Sequence, residues 1–217
     1  MIISRQKSLD QIIDALAGYQ RLFLAGCSLC ATLCQSGGEQ EILIMKKDLE
    51  AAGKQVVGYV VVEAACHLLE TKKAFGEIEE TLETADAILS LGCGAGSQTL
   101  ASFLEKPVFT AVDTLFLGSI ERWGRFSEVC AMCGECMLNL TGGVCPITRC
   151  PKGLLNGPCG GMNRGKCESD PERECAWVSI YTMLKRQNRL EAMRRIIPPR
   201  DHSIGQRPGM LILKREK

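Results

Sequence analysis

Cysteine is the residue type in this sequence whose number and spacing suggest a chemical role. The chain has 217 residues and 13 cysteines. Eight of them fall in one segment, at Cys130, Cys133, Cys136, Cys145, Cys150, Cys159, Cys167 and Cys175. The CxxCxxC run that opens this segment is typical of iron–sulfur proteins, because three thiolates at that spacing can wrap one cluster. The remote fourth ligand of such a cluster is often followed by proline, as in Cys145-Pro146 and Cys150-Pro151.

The same eight cysteines allow two metal contents. They would satisfy two four-iron clusters, or one cluster and one tetrahedral zinc site. A zinc ribbon is expected to have separated CxxC pairs, whereas CxxCxxC is more characteristic of clusters. The spacing therefore favours iron–sulfur at Cys130, Cys133 and Cys136 and leaves the later cysteines open between iron and zinc.

Five further cysteines lie in the first part of the chain, at Cys27, Cys30, Cys34, Cys66 and Cys93. They fall just after three predicted strands, and the carboxyl ends of parallel strands share the edge of a sheet where ligands bind. A four-iron cluster needs four thiolates, so one of the five would be spare. We expect Cys30, Cys34, Cys66 and Cys93 to be the ligands, with Cys27 as the alternate. In the other interpretation, Cys66 and Cys93 are merely small buried apolar residues.

Composition and charge limit the class of protein to which this chain can belong. The apolar content of 46% and the formal net charge of +1 are those of a soluble globular protein. The N-terminus lacks a secretory hydrophobic region, and the longest apolar stretch, around Val56 to Cys66, is too short to span a bilayer. We expect a cytoplasmic protein without a membrane span, whose cysteines ligate metal rather than pair as disulfides.

Periodicity predicts the elements that must position these thiols. Apolar residues have helical spacing over 8–19, 38–52, near 75–83 and near 97–104, and strands are predicted over 22–26, 56–62, 87–91 and 108–112. This alternation predicts an α/β domain over residues 1–120, with an open, mostly parallel sheet flanked by helices.

Residues 121–217 are predicted to form a second, Cys-rich metal-binding region. Up to Cys175 this part has little apolar side chain, so its folding free energy has to come largely from bound metal. A helix is predicted over 176–195, and an extended basic arm over 196–217. Residues 185–217 hold ten Lys or Arg against three acidic residues, without interleaved aromatic residues. This predicts docking to a protein partner and not to nucleic acid.

A glycine-rich loop offers an alternative to metal binding. Gly92-Cys93-Gly94-Ala95-Gly96-Ser97 follows a predicted strand and opens a helix, as a dinucleotide-binding loop would, and Asp113 lies about 20 residues on. The third glycine is not at the offset that a dinucleotide-binding loop requires. This favours a different role for these glycines, which is to let the backbone approach a cluster. A nucleotide-dependent enzyme is therefore the third interpretation. His67 and His202 stand alone, and no catalytic arrangement of side chains is evident.

Longer motifs around these cysteines carry a family resemblance. They are Cys130-Ala-Met-Cys-Gly-Glu-Cys-Met137, Thr141-Gly-Gly-Val-Cys-Pro-Ile-Thr-Arg-Cys-Pro-Lys152, Leu154-Leu-Asn-Gly-Pro-Cys-Gly-Gly161, Gly165-Lys-Cys-Glu168 and Cys175-Ala-Trp177, with Gly26-Cys-Ser-Leu-Cys-Ala-Thr-Leu-Cys-Gln-Ser-Gly-Gly38, Leu91-Gly-Cys-Gly-Ala-Gly96 and Thr114-Leu-Phe-Leu-Gly118. Together they resemble the methylenetetrahydrofolate reductase C-terminal family, which supplies the MetV-type small subunit of the reductase in acetogenic and related anaerobic bacteria.

The resemblance implies an accessory role. The partner would be the flavin-containing catalytic subunit, a (β/α)₈ barrel that reduces methylenetetrahydrofolate in the Wood–Ljungdahl pathway. This chain would relay electrons to that flavin from an unnamed electron-donor protein, through two or three 4Fe–4S clusters and with zinc also implied. Catalysis would lie in the partner chain. The alternative function is a zinc-stabilised scaffold of the same complex that transfers no electrons.

Overall fold

The computed structural model describes residues 1–205 and 207–213. Its strands are β1 (Ile2–Gln6), β2 (Arg21–Cys27), β3 (Gln55–Val62), β4 (Ala87–Ser90), β5 (Val108–Thr110), β6 (Val112–Arg122), β7 (Arg125–Cys130), β8 (Lys166–Cys167) and β9 (Asp170–Glu174). Its α-helices are α1 (Leu9–Ala15), α2 (Cys30–Leu33), α3 (Glu39–Ala51), α4 (Leu68–Gly76), α5 (Glu79–Glu83), α6 (Gly94–Ala101), α7 (Pro146–Arg149) and α8 (Ala176–Arg186). Short 3-10 helices cover Leu190–Arg194 and His202–Gly205. No helix in these ranges is long and apolar enough to cross a membrane.

The chain divides into two compact units, Met1–Phe126 and Ser127–Lys217. The first unit is built on a parallel sheet of order β3-β2-β4-β5. Alternate residues of β2 point to opposite faces, so Leu22 and Leu24 pack with residues of α1 and α3, whereas Phe23 and Ala25 pack with residues of α4, α5 and α6. Helices therefore cover both faces of the sheet, which confirms the α/β prediction.

Most predicted elements of the first unit are present, with shifted ends. The helix predicted over 8–19 begins at Leu9, because Ser8 caps it by accepting a hydrogen bond from the Gln11 N–H at 3.3 Å. The helix predicted near residues 75–83 is instead the pair α4 and α5. The helix predicted near 97–104 begins earlier, at Gly94, so the glycine-rich loop forms the first turn of α6.

An antiparallel strand pair in the first unit was not predicted. β1 runs antiparallel to β6, with Ile2 opposite Leu117. The prediction placed a strand only up to residue 112 and irregular structure after 120, whereas β6 continues to Arg122 and β7 reaches Cys130. Most residues of β6 are exposed or half-buried, so its sequence lacks the apolar run of a strand buried on both faces.

The second unit has one small apolar core. Val144, Trp177, Ile180 and Leu184 are buried together, and the indole Nε1 of Trp177 donates to the Leu154 carbonyl at 3.0 Å. The helix predicted over 176–195 ends at Arg186, after which Asn188 adopts a φ of +55° and the chain continues as a 3-10 helix.

The basic arm predicted over 196–217 is not extended throughout. Residues His202–Gly205 form a 3-10 turn. Three of the basic residues on which the docking prediction depends, Lys214, Arg215 and Lys217, lie outside the described residues.

Candidate metal centres

Three cysteine-bearing loops lie at one edge of the parallel sheet. Cys27 is the last residue of β2, Cys66 follows β3, and Cys93 follows β4. Because β2 lies between β3 and β4 and all three run in the same direction, their carboxyl ends share this edge. The connections from β2 to β3 and from β3 to β4 place strands on opposite sides of β2, which makes this edge the switch point where ligands bind in open α/β sheets.

Two glycines allow these loops to approach closely. A Cβ on Gly96 of α6 would lie 2.8 Å from the Cβ of Ala65, so only glycine lets the helix that follows Cys93 pack against the loop before Cys66. A Cβ on Gly37 would overlap the carbonyl oxygen of Leu91, at the end of β4. The absence of side chains at these positions brings the thiol-bearing segments together.

The pKa of Cys66 shows which other thiols influence it electrostatically. Partial burial and, after it, the neighbouring Cys93 raise the pKa of the Cys66 thiol, and Cys27 and Cys30 also raise it. Cys66 as a residue is exposed, so this burial concerns only part of its side chain. Three thiols from two other loops, those of Cys93, Cys27 and Cys30, therefore act electrostatically on Cys66.

Cys34 is directed elsewhere. Its thiol donates to the main-chain carbonyl of Ile2 at 3.7 Å, and Cys34 is not among the groups that act on Cys66. The thiol of Cys27, in contrast, faces the Glu63 carbonyl at 3.4 Å, on the loop that leads to Cys66. These contacts associate Cys27, and not Cys34, with the loop of Cys66, whereas the sequence analysis preferred Cys34 as a ligand and kept Cys27 as the alternate.

In the second unit, four cysteines line one cavity of about 20 Å³, together with Lys152 and Glu168, which form an ion pair. The four are Cys150, Cys159, Cys167 and Cys175. This volume is enough for one water-sized body. The sequence did not predict this grouping, because the cysteines come from separate turns whose approach has no periodic signal.

The CxxCxxC loop has a tight backbone. Met132 and Gly134 have positive φ angles of +51° and +79°, and the Met132 N–H donates to the Sγ of Cys130 at 3.3 Å. Cys145, which precedes α7, accepts a hydrogen bond at its Sγ from the Thr148 hydroxyl at 3.4 Å. Main-chain and hydroxyl donors therefore already point at two of the sulfurs, as donors do around metal-bound thiolates.

Arg200 is one of many basic residues in the sequence, and only the structure singles it out. Its Nη2 donates to the Cys133 carbonyl at 3.1 Å, and its buried Nε–H has no hydrogen-bond partner among the described residues. Buried polar groups nearly always have a partner, so an acceptor at this place would complete the arrangement.

The other predicted features have structural explanations. His67 caps α4 by accepting from the Glu70 N–H at 3.3 Å. His202 lies in the second 3-10 helix. At the glycine-rich loop, the Gly94 N–H donates to the hydroxyl of Thr114 at 2.7 Å, so one donor that a phosphate would need is already engaged.

All thirteen cysteines are free thiols. Within residues 1–205 and 207–213, no three or more His, Cys, Asp or Glu side chains already stand in the arrangement of a bound metal ion. The chemistry of the donors still fits a metal, because soft thiolates select zinc and iron–sulfur clusters. The unpartnered Arg200 N–H fits as well, since sulfur ligands of a cluster accept hydrogen bonds from nearby donors.

Comparisons with known proteins give a family match that spans the end of the first unit and most of the second. Residues 109–203 match the family described as "Methylene-tetrahydrofolate reductase C terminal". The match includes all eight cysteines from Cys130 to Cys175 and none of the five in the first unit. No match was found among the curated proteins or the solved structures. The cysteine-rich part of this chain is thus similar to the C-terminal region of methylenetetrahydrofolate reductase.

Proposed function

We propose that this chain is an accessory electron-transfer subunit of methylenetetrahydrofolate reductase, related to the MetV-type subunits. The observation that supports the proposal best is that the family match covers the whole cysteine framework from Cys130 to Cys175. Catalysis then belongs to a flavin-containing partner subunit, and a separate donor protein supplies the electrons. A cytoplasmic location suits this function, because the thiols stay reduced there.

The eight cysteines of the second unit are assigned to two sites. The cavity lined by Cys150, Cys159, Cys167 and Cys175 has room for one ion, and four thiolates are a common ligand set for structural zinc. Cys130, Cys133 and Cys136 then hold a 4Fe–4S cluster with Cys145, whose following proline is typical of a remote fourth ligand.

A second 4Fe–4S cluster is assigned to the first unit. Cys27, Cys30, Cys66 and Cys93 supply its four thiolates, on the strength of their electrostatic coupling at the sheet edge. Cys34 remains outside this ligand set because its thiol faces the Ile2 carbonyl.

The residues of this chain hold and tune these groups. An iron–sulfur cluster, when bound, takes up and releases one electron at a time. Hydrogen bonds to its sulfurs make the reduced state more favourable, and the Met132 N–H on Cys130 and the Thr148 hydroxyl on Cys145 are such donors. Substrate does not need to bind to this chain.

Metal analysis tests the proposal directly. The protein is purified without oxygen, and iron, zinc and acid-labile sulfide are measured beside an electron paramagnetic resonance (EPR) spectrum of the reduced protein. We expect about eight iron, about eight sulfide and about one zinc per chain, as two cubanes and one zinc site require. Zinc without sulfide would exclude electron transfer.

A second experiment tests the partner. The reduced protein is mixed with an oxidised, flavin-containing methylenetetrahydrofolate reductase subunit, and the flavin absorbance is followed. We expect reduction of the flavin by the wild-type chain and its loss with Cys133→Ser. Equal flavin reduction with both proteins would contradict the relay.

A zinc-stabilised scaffold is the second candidate function, and the single-ion size of the cavity favours it. The scaffold needs only this zinc site to hold the partner subunit. Under this function, Cys150→Ser abolishes assembly with the partner, while Cys133→Ser changes neither assembly nor flavin reduction.

A further inference from the structure

Arg200 places a mostly buried positive charge on the CxxCxxC loop. Its side chain is 15% exposed, and its Nη2 donates to the carbonyl of Cys133 at 3.1 Å. Arg200 also lines a cleft of about 220 Å³ together with Cys136 and Glu135. The guanidinium therefore contacts the loop between two of the candidate ligands.

The protein provides only part of a counter-charge for this guanidinium. The nearest carboxylate oxygen, Oε2 of Glu135, lies 3.9 Å from Nε, which is too far for a hydrogen bond, and the Glu135 side chain is 46% exposed. The Nε–H has no hydrogen-bond partner among the described residues. A buried cation without a well-placed anion is costly. The arrangement therefore points to a missing hydrogen-bond acceptor that carries negative charge.

The segment before Arg200 is tied to a distant part of the chain. The side-chain amide of Asn156 makes two hydrogen bonds to the main chain of Ile197, at 2.7 and 2.9 Å. After Arg200, the Asp201 carboxylate closes a local turn by accepting from the N–H of Ser203 at 2.9 Å and from its hydroxyl at 2.6 Å. The low exposure of Arg200 and its hydrogen bond to Cys133 show that it is not a free surface side chain.

We propose that Arg200 is the charge-compensating residue of the metal site formed by Cys130, Cys133 and Cys136, and that its Nε–H donates to a sulfur of that site. The thiolates and sulfides of a four-iron cluster carry net negative charge, which increases by one on reduction. A fixed cation favours the more negative, reduced state. The inference rests on the proposed function, since it requires a metal at this loop.

Redox titration followed by EPR tests the inference, because a purely structural residue would not change a reduction potential in a charge-dependent way. We expect Arg200→Gln to shift one cluster to a lower potential and to leave the second cluster unchanged. Arg200→Lys, which keeps the charge but not the planar donor, should restore part of the shift. Glu135→Gln should shift the same cluster in the opposite direction, because it removes the neighbouring negative charge.

Arg189 provides a control at an exposed arginine. Its guanidinium also donates to a main-chain carbonyl of the second unit, that of Asn139 at 2.6 Å, and its other side-chain hydrogen bond among the described residues goes to Gln187. Arg189→Gln should leave both potentials unchanged. An unchanged potential in Arg200→Gln, or shifts in the same direction for Arg200→Gln and Glu135→Gln, would overturn the inference.

Metal retention separates this inference from the proposed function. If the wild-type chain contains zinc and no sulfide, electron transfer fails, but competition with a chelator for the zinc that Cys133→Ser loses still tests Arg200. If Cys133→Ser loses no zinc, no metal is bound at this loop and the inference is overturned. We then expect Arg200→Gln to weaken zinc binding by about 10- to 100-fold, as loss of a partner of metal ligands does. Equal zinc retention in Arg200→Gln and Arg189→Gln would overturn the role of Arg200. If Arg200→Gln does not fold, the other two variants test the inference. Arg200→Lys should lower the reduction potential of the cluster and Glu135→Gln should raise it.

Discussion

The two units support their cysteines in different ways. In the first unit, thiol-bearing loops extend from a parallel sheet that is covered on both faces by helices and by two clusters of buried apolar side chains. In the second unit, the buried apolar side chains form one small cluster around Trp177, and most cysteines lie on turns. Under the proposed metal assignment, the same ligand chemistry is added in the first unit to a fold that is stable without it, and in the second unit is part of what stabilises the fold.

Removal of metal should give the largest difference between the units. Treatment with a strong chelator under anaerobic, reducing conditions should unfold most of residues 127–200, because their core is small and metal-binding free energy there is folding free energy. The sheet of the first unit should persist. Hydrogen exchange read by mass spectrometry should show protection lost by orders of magnitude in the second unit and largely kept in β2 and β4. Equal loss of protection in both units would contradict the comparison.

The assignment of Cys27 and not Cys34 to the first site predicts a difference between two variants. Cys27→Ser should lose the iron of one cluster, about four atoms per chain, whereas Cys34→Ser should keep it. Iron and sulfide content of the two purified variants provides the measurement. Loss of iron in Cys34→Ser with retention in Cys27→Ser would instead support the set preferred from the sequence, with Cys34 as a ligand.

Close packing at the sheet edge predicts a moderate loss of stability. Gly96→Ala places a methyl group 2.8 Å from the Cβ of Ala65, which should lower the free energy of unfolding of the first unit by about 1–3 kcal/mol. Gly76→Ala is the matched control, since it also lies in a helix but has no atom within 4 Å of its added Cβ. The control should be neutral or stabilising by up to about 1 kcal/mol. Urea unfolding at equal metal content compares the two, and equal effects would show that Gly96 has no packing role.

The smallest expected effect concerns the pH dependence of the first unit. The main-chain N–H and the guanidinium of Arg21, helped by the Gln20 N–H, lower the pKa of Asp86 from 3.8 to about 2. Because the pKa is lower in the folded state, the ionised Asp86 carboxylate stabilises the fold. This contribution is fully present above pH 3.8 and is lost as the pH falls through about 2.

Asp86→Asn should therefore lower stability by a constant amount above about pH 5, and the difference from wild type should shrink below about pH 4. Unfolding measured across this range at equal metal content checks the sign. A difference that grows as the pH falls would contradict it.

The sequence predicted the parallel sheet because its strands are buried on both faces. Runs such as Leu22 to Gly26 and Ala87 to Ser90 are almost entirely apolar or small, and their alternation with helical periods indicates an α/β fold. The antiparallel pair of β1 and β6 was missed because β6 is largely exposed and its apolar residues do not alternate cleanly. Burial, more than strand propensity, decided which strands could be recognised.

The cysteines of the candidate sites could be picked out from the sequence, but their grouping in space could not. Cysteine spacing along the chain indicated metal binding, yet the approach of Cys150 to Cys175 depends on turns far apart in sequence. Arg200 could not be singled out, because a buried guanidinium and a solvated one look alike in a sequence. Its unpartnered Nε–H and the hydrogen bond from its Nη2 to the Cys133 carbonyl distinguish it from the other basic residues of the segment that the structure describes.

The cysteines of the two units do not interleave along the chain. Every thiol of the first unit precedes residue 94, the unit itself ends at Phe126, and the next cysteine is Cys130. During synthesis, domains fold as units from the N-terminal side, so the sheet-edge thiols reach their folded positions before most of the later eight leave the ribosome. Cellular metal-delivery factors would therefore encounter the two sets one after the other, which limits exchange of ligands between them.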